Sequence, residues 1–456
     1  MAKAHVLVLP LPAQGHITPL MELSYRLVDH GFEVTFITTE VHHALVVGAL
    51  SASGSEVALG GGIHLASIPD GLSNDEDRKD LNKLFDAIPR HMPGHLEQLI
   101  AGLEAAGRPA AKWLVGDVSM GWSFEVARKF GIRAVSVWSA ATASLALNLM
   151  IPKLIEDGLI DDKGSLRRHE MFELAKGMPQ VHTSQLPWIN DSVPEGRHII
   201  FDMVTQNNKL NALAEMTVAN SFHEAEPSAC GLFPNILPIG PLSADKKPVG
   251  NFLQEDGRCI KWLDAQPDRS VVYVAFGSIA ILDGRQFKEL AEGLELAGRP
   301  FLLVVRPDFS PGGLSKAWLD EFRQHLYGRR GMVVSWCSQQ QVLAHRAVAC
   351  FVSHCGWNST IEGVSNGVPF LCWTYFCDQH LNRNYITNLW RTGRAVSPDV
   401  DGIVTKEELR SKVEQVIGDA GIKERARLFA DVARQSISEG GSSYENFKRF
   451  VNLLSE

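Results

Sequence analysis

WCSQQQVLAHRAVACFVSHCGWNSTIEGVSNGVPFLCWTYFCDQ, residues 336–379, is the stretch on which the reading of this chain turns. Two short apolar runs, residues 348–353 and 368–373, flank a turn at Cys355-Gly356 and a helix opening near Trp357-Asn358-Ser359. The pattern predicts a strand-turn-helix-strand unit with its polar groups at the turn. A helix start presents unpaired backbone N–H groups and the positive end of the helix dipole, which suits phosphate, and Asn358 and Ser359 add side-chain donors there. Gly356 removes the Cβ that would hold a ligand off the backbone. Glu362 follows Asn358 by one helical turn, and an ionised carboxylate, which only accepts hydrogen bonds, suits the paired hydroxyls of a ribose. Trp336, at the end of a strand over residues 332–335, offers a flat surface to a base, and Asp378-Gln379 can bond sugar hydroxyls. Each piece alone has a plainer reading: Trp336 as a core residue, Asn358 and Asp378 as helix caps. The joint order points to a nucleotide joined to a sugar.

With Trp336, Gln339, Val342-Leu343, His345, His354-Cys355-Gly356-Trp357-Asn358-Ser359, Glu362, Gly367-Val368-Pro369 and Asp378-Gln379 in ungapped order, the stretch resembles the signature box of plant secondary-product glycosyltransferases. That family transfers sugar from a UDP-sugar to small lipophilic acceptors. The resemblance implies that Trp336 stacks on uracil, that Gln339 and Glu362 hold the ribose, and that His354, Asn358 and Ser359 hold the diphosphate. Trp357, Asp378 and Gln379 would face the sugar, and Gln379 favours UDP-glucose. Cys337, Ser278 in the Gly277-Ser278 turn, Gly15 and Ser139 are further donor-side positions by the same resemblance. Ser338, Ala349 and Thr374 depart from the usual proline, glycine and proline, which puts local backbone shape in doubt more than activity.

At the N-terminus, residues 4–9 read as a buried strand, residues 10–15 as a loop, and Ile17, Leu20, Met21, Leu27 and Val28 recur at helical spacing. His16 thus falls between a strand and a helix, where a neutral imidazole can take a proton and the positive helix end disfavours the imidazolium. A carboxylate partner would orient the ring and stabilise the cation formed in proton transfer. Asp117 is the candidate, because residues 112–116 read as a strand and 119–131 as the helix that follows. Both residues would lie at the carboxyl ends of parallel strands, where open α/β folds bind ligands. A local helix-start bond for His16 and a cap for Asp117 are the ordinary alternatives. The resemblance makes PAQGHITP the segment of the catalytic base and Asp117 its partner.

The chain has 456 residues, 45% hydrophobic and 21% charged, which suggests two domains of a globular protein. A net charge of −8 with dispersed Lys and Arg gives no reason to expect nucleic acid. No apolar stretch reaches the ~18 residues a membrane helix needs. The first residues read as strand one, not a signal peptide. Seven cysteines, all from Cys230 onward, without a disulfide framework, suit reduced thiols in the cytosol. The spacing of Cys350, His354 and Cys355 fits no metal scheme, and no metal is expected. Asn358-Ser359-Thr360 matches a glycosylation acceptor, but a glycan would block the phosphate site. The Gly60–Gly62 run lacks a following P-loop Lys-Ser/Thr and reads as a connection.

The expected architecture is α/β. The resemblance makes it GT-B, two facing Rossmann-like doubly wound parallel-sheet domains. The expected boundaries are residues 1–242 for an acceptor domain, 243–257 for a linker, 258–438 for a UDP-sugar domain, and 439–456 for a helix crossing back, this last by resemblance only. The expected enzyme is an inverting UDP-dependent glycosyltransferase in the cytoplasm. It is expected to act as a monomer, with UDP-glucose as co-substrate and no permanently bound cofactor. Met120, Trp122, Trp138, Leu145, Pro187 and Trp188 lie in regions that border the acceptor cleft in relatives, although a core role is open to each. They suggest a flavonoid, phenolic or terpenoid acceptor. An oxidoreductase is disfavoured because the first turn lacks G-x-G-x-x-G. A UDP-sugar epimerase would consume donor without acceptor, and a non-catalytic UDP-sugar binder would release nothing.

Overall fold

Seven parallel strands form the first sheet, in the order β3-β2-β1-β4-β5-β8-β9. They are β1 (His5–Leu9), β2 (Glu33–Thr39), β3 (Ile63–Ile68), β4 (Ala111–Asp117), β5 (Arg133–Trp138), β8 (Met216–Ala219) and β9 (Ile236–Pro238). A small antiparallel pair, β6 (Met171–Phe172) and β7 (Val181–His182), stands apart. This computed structural model describes residues 4–52, 62–74, 77–78, 80–189, 197–242, 255–278, 282–306, 316–326 and 330–456. Residues 53–61, which carry most of the glycine-bearing connection, and residues 243–254 of the expected linker lie outside them.

The first sheet is covered on both faces, which is why its strands read as near-continuous apolar runs. Val6 and Val8 of β1 join one core with Val34, Phe36, Val115 and Val137, while Leu7 and Leu9 join the opposite core with Ile37 and Leu114. Short strands β8 and β9 escape the sequence reading because four and three residues carry too little periodicity to register.

Six parallel strands form the second sheet, in the order β12-β11-β10-β13-β14-β15. They are β10 (Val271–Ala275), β11 (Phe301–Val304), β12 (Gly331–Val334), β13 (Val348–Ser353), β14 (Phe370–Cys372) and β15 (Gly393–Ala395). Val272, Val274, Leu303, Val352 and Leu371 pack with helical Phe287, Leu290, Leu409 and Val413 on one face. On the other, Tyr273 stacks on Phe351 at 5.0 Å, and Phe351 lies 5.7 Å from Phe370.

In each sheet the strand order reverses between the first strand and the fourth of the series, β1 beside β4 and β10 beside β13. That reversal opens a crevice at the carboxyl ends, where doubly wound sheets take ligands. By internal contacts the chain divides into one unit of Met1–Leu253 with Ser436–Glu456 and another of Gln254–Gln435. Among the described residues no helix is long and apolar enough to cross a membrane.

The last helix, Ser442–Ser455, belongs to the first unit because its apolar stripe is spent there. Phe447, Phe450, Val451 and Leu454 enter the core that holds Val6 and Val8. Arg26 Nη2 donates to the Pro241 carbonyl at 2.9 Å while its guanidinium lies 5.8 Å from the Phe447 ring. Asn446 Nδ2 donates to the Pro238 carbonyl at 2.9 Å. Phe450 is fully buried. Phe450→Ala is expected to cost the first unit about 3–5 kcal/mol, read as a lowered calorimetric transition, whereas Arg449→Ala on the exposed face should leave that transition in place.

Candidate active site

The first unit brings three separated residues together at the β1/β4 crevice. The helix Gln14–Asp29 begins two residues earlier than a loop through Gly15 would allow. Ala13 is its N-cap, without a side-chain bond, so exposed Gly15 and partly buried His16 sit in the first turn. Asp117, the last residue of β4, is fully buried. The expected helix after it is divided into a 3-10 turn, Val118–Met120, and the helix Trp122–Lys129. The division follows from the Asp117 side chain, whose Oδ1 accepts from Ser119 N at 2.8 Å and caps the short turn.

Asp117 Oδ2 accepts from His16 Nδ1 at 2.7 Å and from Ser139 Oγ at 3.2 Å. Ser139 Oγ also lies 2.9 Å from His16 Nδ1. An ionised carboxylate has no hydrogen to give, so Nδ1 carries the proton, and the ring's basic lone pair is on Nε2. The His16 side chain is 25% exposed while Asp117 is sealed, the disposition of a base with a buried orienting partner.

Ser139 follows β5 and precedes the helix Thr142–Leu149. The start of that helix is capped from far along the chain by Glu226, a fully buried carboxylate. Its oxygens accept from Thr142 N at 2.8 Å and Ala143 N at 2.9 Å, and Ser221 Oγ donates to it as well. Burial pushes the Glu226 carboxyl up, while those donors oppose the shift. No local pattern could reveal this contact, because the partners are 84 residues apart. Met120, Trp122, Leu145 and Trp188 are buried in apolar clusters, the core alternative for each.

In the second unit, His354 follows β13 and its imidazole is lodged between two glycines. A Cβ on Gly277 would lie 2.5 Å from its Nε2, and one on Gly356 would lie 2.4 Å from it. Gly277 also has φ +69°, a conformation that resists other residues. Burial lowers the His354 pKa to about 4, helped by the Arg306 guanidinium, so the ring is neutral. Arg306 donates to the Gly277 carbonyl, which ties it to the same turn. Exposed Ser278 is the next residue.

Cys355 turns the chain at φ +63°, and the helix Trp357–Ser365 starts at Gly356 with no side-chain cap bond. Trp336 is partly exposed, Gln339 opens the helix Gln339–Leu343, and its Nε2 donates to Ser359 Oγ at 2.9 Å and Glu362 Oε2 at 2.7 Å. Asn358, partly exposed, is in the first turn of the helix.

Two side chains of the box turn into the core, and one expected strand is shorter. Trp357 is only 4% exposed, with its ring centroid 6.5 Å from that of Trp390. Cys337 is buried with Sγ 3.6 Å from Tyr273 Oη, which turns its side chain into the core. The strand expected over 368–373 shortens to Phe370–Cys372, and the turn after it uses Gln379 as a clamp. Gln379 Oε1 accepts from Tyr375 N at 2.8 Å and Phe376 N at 3.2 Å. Asp378 Oδ2 accepts from Asn382 Nδ2 at 3.0 Å. Thr374, in place of the usual proline, brings Oγ1 within 3.0 Å of His380 Nδ1. Among the described residues no group of three or more His, Cys, Asp or Glu is placed to hold a metal ion.

Two doubly wound parallel sheets, one with a His-Asp pair and one with a glycine-lined helix start, define an α/β protein with a candidate base and a candidate anion site at its strand ends. The family profile described as UDP-glucoronosyl and UDP-glucosyl transferase matches residues 199–435. UDP-glycosyltransferase 83A1 of Arabidopsis thaliana is 40% identical over 100% of this chain and 97% of its own length. Linamarin synthase 1 of Manihot esculenta is 32% identical over 98% of this chain and 96% of its own. The solved structure of Os79 from O. sativa in complex with UDP superposes with a TM-score of 0.81 at 28% identity, covering 98% of this chain and 100% of the other. The chain belongs to the plant UDP-glycosyltransferase family, with the GT-B class of α/β fold. It is a UDP-dependent, inverting glycosyltransferase.

Glu362 supplies a pH prediction. Burial raises its pKa from the ordinary 4.5 to about 7, against the lowering effect of the Gln339 and Gln340 amides. The folded chain therefore keeps a proton that the unfolded chain releases, so the stability from this group is complete below pH 4.5 and is lost as pH rises through 7. Wild type should lose stability across that window with a slope of up to about 1.4 kcal/mol per pH unit. Urea denaturation of Glu362→Gln at a series of pH values should show that slope removed.

Proposed function

We propose that this enzyme moves glucose from UDP-glucose to a hydroxyl of a small lipophilic acceptor, a flavonoid, phenolic or terpenoid, in the cytoplasm, and yields a β-glucoside. The observation that carries the reading is the 2.7 Å bond from His16 Nδ1 to buried Asp117. It holds the imidazole in the tautomer whose Nε2 can take the acceptor proton. As the proton moves to His16, the acceptor oxygen forms its bond to the anomeric carbon. The bond from that carbon to the β-phosphate oxygen breaks and UDP departs from the opposite face, so an α-linked donor gives a β product. Asp117 stabilises the imidazolium formed.

The unit of Gln254–Gln435 is read as the donor-binding half and the unit holding His16 as the acceptor-binding half. Trp336 would stack on the base, Gln339 and Glu362 would hold the ribose, and His354, Asn358, Ser359 and Ser278 would meet the diphosphate. Neutral His354 can donate one hydrogen bond, while the uncapped Trp357–Ser365 helix start adds N–H donors and the positive dipole end. Asp378 and the Gln379 amide would bond the sugar. Gln379 is the feature that favours glucose.

His16→Ala is expected to lower kcat by about 10²–10⁴-fold while UDP affinity by calorimetry stays near wild type. Undiminished turnover would remove His16 from the mechanism. The acceptor class is tested by mass spectrometry of products from a mixed panel of flavonoids, simple phenols and terpenoid alcohols with UDP-glucose. Glucosides confined to sugars or peptides added as controls would overturn the lipophilic assignment.

A further inference from the structure

Tyr273 lies in the middle of β10, the central strand of the second sheet, and is 1% exposed. A phenol hydroxyl so deep needs a partner, and it has two. Its Oη donates to Gln339 Oε1 at 3.2 Å and lies 3.6 Å from Cys337 Sγ. Burial pushes the Tyr273 hydroxyl well above its ordinary pKa, and its contact with Cys259 together with burial does the same for the Cys337 thiol, so both keep their protons.

The directions of these bonds are set from both ends. Glu362, once ionised, can only accept, so the Gln339 amide must turn its NH2 toward Glu362 Oε2 and Ser359 Oγ, at 2.7 and 2.9 Å. The Gln339 carbonyl then faces Tyr273, which must donate its one hydrogen to it. The Cys337 Sγ, 3.6 Å from the tyrosine oxygen, also meets Cys259. A single ordered chain of donors runs from the core of the sheet to the carboxylate at the helix.

From this chain we infer that Tyr273 is a positioning residue for nucleotide recognition, holding the Gln339 amide in the one orientation that presents its NH2 beside Glu362 and Ser359. The inference rests on the ribose role proposed for Gln339 and Glu362. Tyr273 touches no ligand and acts only through Gln339. Without its hydroxyl the amide carbonyl has no buried donor, and the NH2 can rotate away from the carboxylate. The cost of that freedom falls on binding of the nucleotide, not on proton transfer.

Tyr273→Phe keeps the ring that stacks on Phe351 and removes only the hydroxyl. UDP titrated calorimetrically into the full chain should bind roughly three- to tenfold more weakly in this variant, the range of one net hydrogen bond. KM for UDP-glucose should rise by a similar factor while kcat changes little. In a Gln339→Ala background the same substitution should have no further effect, because the group it orients is gone. The pH at which UDP affinity changes should also move upward in Tyr273→Phe, since Glu362 loses a well-placed donor. Unchanged UDP affinity in Tyr273→Phe, or a full penalty that persists in the Gln339→Ala background, would overturn the inference. Unchanged UDP affinity in Gln339→Ala would instead remove the ribose role of Gln339, and the inference with it.

Discussion

Parallel strands that wind in two directions from a common centre leave a gap at their carboxyl ends, and this constraint places the His16–Asp117 pair and the turns at Gly277 and His354. In the first sheet the gap lies between β1 and β4. The residue pairing Leu9↔Gly116 sets the ends of those strands side by side, so the helix start after one meets the aspartate that ends the other. In the second sheet the equivalent gap lies between β10 and β13, where Ala275 pairs with Ser353. The turns that follow, Gly277 and His354 to Gly356, are therefore neighbours, and only glycine on both sides leaves room for the imidazole.

Buried polar groups support each gap from behind. Asp117, Glu226, Tyr273 and Gln379 are all at most 4% exposed, and each satisfies its hydrogen bonds by ordering a segment that carries a candidate ligand-binding or catalytic group. Asp117 orders His16 and caps the turn after β4. Glu226 holds the helix that follows Ser139. Gln379 clamps the turn that bears Asp378. Inside a protein an unmet polar group is costly, so each of these contacts has few alternatives and fixes the geometry of its segment.

Much of this was legible in one dimension. Gln339, Ser359 and Glu362 meet because they are local: a turn and two short helices bring them together within a few tens of residues. The bonds from Gln339 to Ser359 and Glu362 are the direct expression of that spacing. Side-chain direction was less legible. Trp357 and Cys337 occupy box positions yet point into cores, because the packing around Trp390 and Tyr273 decides which way a ring or thiol turns. Short strands β8 and β9 were missed for want of periodicity, and the role of Glu226 was hidden by distance along the chain.

What the sequence by itself determined is therefore the local chemistry: a glycine-led helix start, a carboxylate one turn beyond it, and a histidine where a strand gives way to a helix. Those depend on local backbone geometry and on residue type, which neighbours in the chain can encode. What only the tertiary structure decided is which groups meet across distance, His16 with Asp117 and Ser139, and Tyr273 with Gln339. The physical reason is that hydrogen bonds reach about 3 Å, and over the 101 residues that part His16 from Asp117 only the pairing of strands in a sheet can close that gap.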